Sequence, residues 1–236
     1  MSKDRKLSPN GITDGVIWEQ LLLFFFPIVL GTFFQQLYNT ADAIIVGKFV
    51  GKEALAAVGG TTGTLINLLV GFFVGLSSGA SVIISQFYGA RKADDVSRAV
   101  HTTMALAVTS GALLTVTGIL FSEKVLWMMG TPAEVMEYAV TYIRIYFLGM
   151  IPSLIYNIGS GILRAVGDSR RPLFFLIAAT MTNIVLDIVL VLGLNMGVAG
   201  AALATILSQV VSAVLVMFTL CRSPQVYRVQ LKKIRF

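Results

Sequence analysis

The sequence contains little charge for its length. Only 13% of its 236 residues are charged, and 56% are hydrophobic, whereas soluble domains contain about 25% charged residues. Apolar stretches of about 20 residues, which are long enough to cross a bilayer, recur along the whole chain. We therefore predict an all-α, polytopic transmembrane helical bundle rather than a soluble domain, with the lipid bilayer as its surroundings.

Two residue types that commonly bind metals are almost absent. The sequence has one cysteine, Cys221, and one histidine, His101, which lie far apart in the chain. A single cysteine excludes an intramolecular disulfide, and zinc or redox-metal sites need clusters of such ligands. The net charge of +6 does not indicate nucleic-acid binding, because the basic residues cluster at the ends of apolar segments. We expect no cofactor other than a coupling ion.

Six apolar segments predict six transmembrane helices that together form residues 16–221. Residues 1–15 are polar and predict a cytoplasmic tail, and the basic residues in 222–236 predict a cytoplasmic linker or tail. Residues 122–131 predict a short amphipathic connection. The predicted helices cover approximately residues 16–48, 53–88, 96–121, 132–166, 172–194 and 201–220.

Basic residues are distributed unevenly between the two ends of the predicted helices. Besides the two tails, the basic residues on the N-terminal side are Arg91, Lys92, Arg170 and Arg171, and those on the opposite side are Lys48, Lys52 and Lys124. Cytoplasmic loops carry an excess of Lys and Arg. We therefore predict an integral protein of the plasma membrane with both termini in the cytoplasm.

The second predicted helix is rich in glycines that recur at multiples of four residues. This spacing forms one stripe, which lets two helix backbones approach closely. The glycines are Gly59, Gly63, Gly71, Gly75 and Gly79. Residues 75–79 also match G-x-S-x-G, but that hydrolase motif requires a strand–turn–helix context. We interpret Ser77 as a packing residue.

An intramembrane hydrolase is an alternative that needs a serine and a histidine at one depth. Ser77 and Ser160 are the candidate nucleophiles, but His101 lies near the cytoplasmic end of its predicted helix. We therefore expect no enzyme activity and interpret His101 as an interfacial residue. Arg144 is expected to extend to the interface or to pair with Glu137 or a lipid phosphate.

Acidic residues interrupt two of the predicted helices. Asn183 and Asp187 lie within the apolar run 180–192 and share one helix face, because they are four residues apart. Asp42 is likewise followed by the apolar residues 43–46. A carboxylate in hydrocarbon costs roughly 2.5–3.5 kcal/mol on insertion scales. We predict a functional cation or proton site here; a structural polar pair joining two helices is the alternative.

Three of these polar residues have similar predicted depths. Counting from the outer helix ends places Asp42, Asp187 and Thr205 roughly 9–12 Å below the surface, at 1.5 Å per residue. Oxygen ligands suit hard cations such as sodium. Two nearby carboxylates also suit protons, because they repel each other when both are ionised. Sodium and protons therefore both remain open as the bound ion.

Several motifs resemble those of the multidrug and toxic compound extrusion (MATE) transporters. Residues 38–47 (YNTADAIIVG) resemble the first-helix signature of the family, and residues 161–169 (GILRAVGDS), followed by Pro172, match a second motif. Residues 183–187 (NIVLD) and 197–205 (GVAGAALAT) resemble its fifth and sixth helices. The resemblance keeps the order and spacing of these motifs over essentially the whole chain.

The resemblance implies a fold and a function. MATE transporters have twelve helices in two six-helix lobes, and they exchange sodium or protons for organic cations and other amphipathic drugs. The chain would then be the N-terminal lobe of a secondary active multidrug efflux antiporter. The implied partners are an organic cation or drug substrate and a C-terminal lobe.

The resemblance also implies roles for individual residues. The residues that match the cation and proton coupling site are Asp42, Asn183, Asp187 and Thr205. Weaker candidates for lining the substrate cavity are Gln35, Tyr38, Asn39 and Asn157. Pro27 matches the first-helix proline, whose bending is linked to the coupling site.

The chain departs from the family in its number of spans. Only six are predicted, without a second copy of the pattern, so we expect a fragment or the product of a truncated gene. Alternating access requires two lobes around one cavity, so the chain alone is expected to bind a cation weakly or not at all and not to transport. The alternative is a self-contained six-span channel or small transporter that acts as a homodimer through a self-complementary surface.

Overall fold

The computed structural model describes residues 17–230 and residue 234, so the predicted tail at 1–15 lies outside the described residues. The described part consists of helices joined by short turns. The α-helices are α1 (Ile17–Phe49), α2 (Lys52–Gly59), α3 (Thr61–Gly89), α4 (Ala93–Met128), α5 (Ala133–Leu148), α6 (Met150–Ala165), α7 (Arg170–Asp187) and α8 (Gly197–Arg222). A π-helix, Ile188–Gly193, follows α7 directly.

The helices have the length and surface of membrane spans. Five spans are long and apolar enough to cross a bilayer: α1, α2 with α3, α4, α7 with the π-helix, and α8. A sixth forms when α5 and α6, which meet at a bend of 54°, are counted together. Large apolar side chains cover the outside, among them Phe26, Phe72 and Leu120. The structure thus confirms the predicted all-α, polytopic membrane bundle.

Two predicted helix boundaries were wrong. The connection expected at 122–131 is largely helical, because α4 continues to Met128 and buries Ser122 and Leu126 one turn apart. The fourth predicted helix is instead two helices that meet at Gly149. A Cβ atom at Gly149 would lie 3.0 Å from a side-chain atom of Ile206, so α8 passes close to this bend.

The first and fifth predicted helices are neighbours in the structure. α1 packs along α7, and both contact α8. α3 packs on α4 and α6 instead. Side chains of α1, α3 and α6 line two polar pockets between these groups of helices. This arrangement brings the acid-bearing ends of α1 and α7 together.

The glycine stripe of the second predicted helix has no helix packed against it. A Cβ atom at Gly59, Gly71, Gly75 or Gly79 would meet nothing within 4 Å in the described structure. The prediction that this stripe mediates close packing was therefore wrong within this chain. Close approach occurs elsewhere, and at Gly118 a Cβ atom would collide with the ring of Phe147.

The segment after α8 is packed against the bundle. Val226, Tyr227 and Val229 are buried in the hydrophobic core formed with α3, α4, α6 and α8. The segment is therefore buried in part, whereas its basic residues Arg222 and Arg228 are exposed. Its apolar residues fill the end of the bundle, a pattern that the basic composition of the segment obscured.

His101, interpreted from the sequence as an interfacial residue, holds the same segment. The side chain is buried, and its Nδ1 atom donates to the carbonyl oxygen of Ser97 at 2.6 Å. Its Nε2 atom accepts a hydrogen bond from the backbone N–H of Gln230 at 3.0 Å. Neutral histidine offers one donor and one acceptor, and both are used here.

Arg144 also has a partner that differs from the expected ones. Its guanidinium lies 3.2 Å from a carboxylate oxygen of Glu123, and both side chains are largely exposed. The same guanidinium donates to the hydroxyl of Ser122. The pairing with Glu137 was therefore wrong, because the helical continuation of α4 brings Glu123 alongside α5.

Candidate functional site

A cavity of about 340 Å³ opens into the bundle beside α1. Four polar side chains of α1 line it: Gln35, Tyr38, Asn39 and Asp42. They are separated in turn by three, one and three residues, so each lies three or four residues from another member of the set, and they share one face of the helix. Asp42 is buried, whereas Gln35 and Asn39 are exposed to the cavity opening. The helix thus presents a polar face that leads from the surface to a carboxylate.

Hydroxyl groups of α8 line the opposite wall. Thr205, Ser208 and Ser212 are buried and follow a spacing of three and four residues on one face. Each hydroxyl donates its hydrogen to a backbone carbonyl oxygen of the same helix, at 3.0, 2.7 and 2.9 Å respectively. Only oxygen lone pairs therefore remain available to the cavity, and these suit a cation rather than an anion.

Asn183 and Asp187 lie in the protein wall behind this cavity. Both side chains are fully buried, and α7 holds them against α1 and α8. Asp187 is close enough to Asp42 for their charges to interact, and the charge of Asp187 also acts on Tyr38. The two acids and the amide therefore form one group that spans α1 and α7.

The polar atoms of this group lack partners in the described structure. Neither carboxylate oxygen of Asp187 is hydrogen-bonded, and neither the oxygen nor the nitrogen of the Asn183 amide is. One carboxylate oxygen of Asp42 is likewise unpaired. Buried polar groups are nearly always hydrogen-bonded, and a buried charge is costly unless it is paired or neutralised. A bound cation or proton would satisfy both requirements.

The helix changes its geometry immediately after Asp187. Residues Ile188–Gly193 form a π-helix, which widens the turn between the acid and the outer end of this span. π-helical segments are rare and frequently occur at functional sites. The turn closes with Asn195 in a left-handed conformation at φ 52°. Nothing in the local sequence IVLVLG distinguishes it from an ordinary apolar helix.

Two tyrosines of α5 complete the cavity and were not predicted from the sequence. Tyr142 and Tyr146 are buried, and their rings stack with centroids 6.3 Å apart. Tyr38 of α1 and Thr205 and Gln209 of α8 line the same cavity. Their spacing of four residues on an apolar helix was a signal, but it is equally typical of core packing.

The remaining predicted site residues lie nearer the opposite end of the bundle. Asn157 of α6 lines the cavity, and its amide donates to the carbonyl oxygen of Ser153 at 2.9 Å. Pro27 is buried, and α1 runs through it as one helix. Proline leaves one helical carbonyl oxygen unpaired, which makes this position a natural place for α1 to bend.

Of the two serines considered as nucleophiles, Ser77 occupies a packing position, and Ser160 is buried in α6 with its hydroxyl unpaired within the described structure. Ser77 is buried in the helical α3 and donates to the carbonyl oxygen of Asn157 at 3.0 Å. A Cβ atom at Gly161 would lie 2.6 Å from its hydroxyl oxygen, so α3 and α6 are in close contact there. His101 is engaged with Ser97 and Gln230 instead. The described structure therefore contains no serine–histidine hydrogen bond of the kind a hydrolase uses.

Comparison with known proteins gives a consistent result. The MatE family model matches residues 27–189. The chain is 34% identical over 205 residues to the probable multidrug resistance protein YoeA of Bacillus subtilis. The aligned region covers 85% of this chain and 44% of YoeA. It is also 33% identical over 197 residues to the probable multidrug resistance protein YpnP of the same organism.

A solved structure shares the architecture over the full length of the chain. The outward-facing conformation of a multidrug resistance MATE family transporter of the MOP superfamily matches with a TM-score of 0.86 and 29% identity. The match covers 100% of this chain and 51% of that one. The chain thus spans about half the length of the relatives that it matches.

Proposed function

The chain belongs to the MATE family of transporters, and from this membership and the buried acids we propose that it is the N-terminal lobe of a multidrug efflux antiporter. The proposed antiporter exchanges Na⁺ or H⁺ for organic cations or other amphipathic drugs across the plasma membrane. Its second, C-terminal lobe completes the substrate cavity. The cytoplasmic location of both termini is part of the same proposal.

One observation carries this proposal: two buried acids lie beside an open cavity, and their carboxylate oxygens lack hydrogen-bond partners in the described structure. Asp42 lines the cavity, and Asp187 lies behind it with both carboxylate oxygens unpaired. Their position on adjacent helices means that a change in the charge of one acid acts on both α1 and α7. This is the arrangement that ion-coupled transport requires, because ion binding must alter the packing of a helix.

The proposed mechanism uses the cavity in two states. In one state the acids are free to receive the coupling ion from the outside, where the ends of α1 and α7 are placed. Neutralisation of Asp42 and Asp187 removes the repulsion between them and lets α1 change its course around Pro27. The cavity then loses its charged wall, and the bound organic cation is released outward. Alternating access between two lobes carries the exchange.

Coupled efflux from vesicles tests this function. The transporter that contains this lobe is expressed in a drug-sensitive strain, and ethidium efflux is followed under an imposed sodium gradient and then under a pH gradient. The wild type is compared with Asp42→Asn and Asp187→Asn. The control is Asp94→Asn, because Asp94 is exposed in the first turn of α4 and lies outside the cavity.

Each outcome has a defined meaning. The coupling ion is identified if efflux follows only one of the two gradients. Its site is identified if efflux is lost in Asp42→Asn and Asp187→Asn but persists in the control. Efflux that is unchanged in both variants, with normal membrane insertion, would show that the acids are structural and would reject the proposed mechanism. Efflux by the isolated chain would show that a second lobe is not needed.

A further inference from the structure

A second polar pocket lies between the inner ends of α1, α3 and α6. Its volume is about 360 Å³, and it is bordered by Phe24 of α1, by serines of α3 and by Arg164 of α6. Asn157 borders both this pocket and the acid-lined cavity. Ser85 is one turn from the end of α3, and Arg164 is the penultimate residue of α6. The pocket therefore extends from the middle of α3 and α6, where Ser77 and Asn157 lie, to the helix ends near Ser85 and Arg164.

Arg164 lines this pocket, and no acidic residue in the described part of the chain forms an ion pair with it. The ion pairs within 4 Å in the described structure join Arg144 to Glu123 and Arg171 to Asp168. A guanidinium presents five N–H donors in a planar fork, which suits carboxylate and phosphate groups. The pocket consequently contains a cation that no described acidic side chain pairs with inside 4 Å.

The serines of α3 differ in what they can offer to a ligand. Ser77, Ser81 and Ser85 each donate to a backbone carbonyl oxygen, at 3.0, 2.7 and 2.8 Å, so their hydrogens are already used. Ser78 lines the same pocket, is exposed, and makes no hydrogen bond within the described structure. Its hydroxyl is therefore free to donate to an anion within this pocket, which Arg164 also lines.

We propose that Arg164 and Ser78 bind the phosphate group of an anionic lipid at the inner surface of the membrane. Charge-assisted hydrogen bonds from a guanidinium to phosphate are short and strong. Basic pockets between transmembrane helices on the cytoplasmic side bind lipid head groups, and nearby basic loops attract anionic lipids. Arg91 and Lys92, which follow α3, supply such a loop. Phe24 and Val82 provide an apolar border for the first acyl carbons.

This inference is independent of the coupling ion and of the drug. It concerns the inner pocket, whereas the proposed ion site involves the outer half of the bundle. A soluble phosphate compound could use the same donors, so the two sources of phosphate must be separated experimentally. Failure of lipid binding would leave the function of the acids untouched, and failure of efflux in the acid variants would leave the lipid site untouched.

Native mass spectrometry of the purified chain measures this binding. Detergent micelles are titrated with phosphatidylglycerol, with phosphatidylcholine and, in a separate arm, with glycerol 3-phosphate. The test variants are Arg164→Gln, which removes the charge, and Ser78→Phe, which fills the pocket from its exposed side. The matched control is Arg170→Gln, because Arg170 is exposed and is not part of the pocket.

We expect one saturable phosphatidylglycerol per chain. Its affinity falls by about tenfold or more in Arg164→Gln, since charged hydrogen bonds are lost, and Ser78→Phe also weakens it. The control keeps the wild-type affinity. Equal binding by the wild type and both test variants would overturn the proposal. Tight binding of glycerol 3-phosphate without a preference for phosphatidylglycerol would overturn the assignment to a lipid. If Arg164→Gln does not fold, Ser78→Phe decides the result.

Discussion

Replacing Asp187 by asparagine tests the candidate ion site without a transport assay. Asp187 is fully buried, and neither of its carboxylate oxygens has a partner in the described structure. Asparagine has nearly the same shape but carries no charge, so the packing of α7 against α1 should persist. The variant should therefore fold at least as well as the wild type in the absence of a coupling ion, and it should lose the stabilisation that ion binding provides.

The magnitude follows from linkage between binding and folding. An ion that binds only the folded state stabilises it by about 2.7 kcal/mol when its concentration is 100 times its dissociation constant. For a chain of this size a change of 1 kcal/mol shifts the unfolding midpoint by about 2–4 °C. We expect the isolated lobe to bind a cation only weakly, so sodium must reach 100 times that weak dissociation constant for the full effect. At that concentration, if sodium is the ion, it should raise the midpoint of the wild type by about 5–10 °C and that of Asp187→Asn by about zero.

The single cysteine provides a convenient assay. Cys221 lies near the end of α8 and is partly buried, so a thiol-reactive fluorescent dye reports unfolding of the chain in detergent. Sodium is titrated against choline at constant ionic strength. Asp94→Asn is the matched control and should respond to sodium as the wild type does. An equal sodium-dependent shift in Asp187→Asn and in the wild type would refute the assignment of this residue to a sodium site.

Three further outcomes are expected. Gly118→Ala should destabilise the chain by about 1–3 kcal/mol, because the new Cβ atom collides with the ring of Phe147. The control Gly75→Ala should have no such cost, because a Cβ atom there meets nothing within 4 Å in the described structure. Equal unfolding midpoints of the two variants in the dye assay would contradict this prediction. His101→Ala should leave the N–H of Gln230 unpaired, at a cost of about 1–3 kcal/mol, and should speed proteolysis of the segment after α8. An unchanged rate of cleavage would show that this hydrogen bond does not hold the segment. The isolated chain should not extrude ethidium, and crosslinking in lipid should find it monomeric; a crosslinked dimer with efflux activity would instead support the homodimer.

The sequence was sufficient for the fold class and for the position of most spans. Long apolar runs bounded by basic turns have few structural solutions in a bilayer, because every backbone group must be hydrogen-bonded internally. The break at Gly149 was missed because both flanking segments are apolar and helical. The packing of Val226 and Tyr227 was missed because a basic composition hides isolated apolar residues that are buried by contacts distant in sequence.

The polar residues of the candidate site could be selected from the sequence, but their arrangement could not. Asp42 and Asp187 were conspicuous because acids are costly in apolar helices. Their proximity depends on α1 packing along α7, which periodicity does not determine. Tyr142 and Tyr146 could not be separated from core aromatics, since burial and stacking are common to both roles. Their contribution to the cavity is visible only after α5 is placed beside α8.

The exposed polar face of α1 indicates what must cover this lobe. Gln35, Gln36, Asn39 and Thr40 are exposed on one part of the helix, although Asn39 and Gln36 hydrogen-bond each other at 3.3 Å. Polar groups left without partners in hydrocarbon cost several kcal/mol each. This face therefore meets water or another protein surface rather than lipid. A second lobe or a second copy would satisfy it, and the relatives, about twice as long as this chain, favour a second lobe.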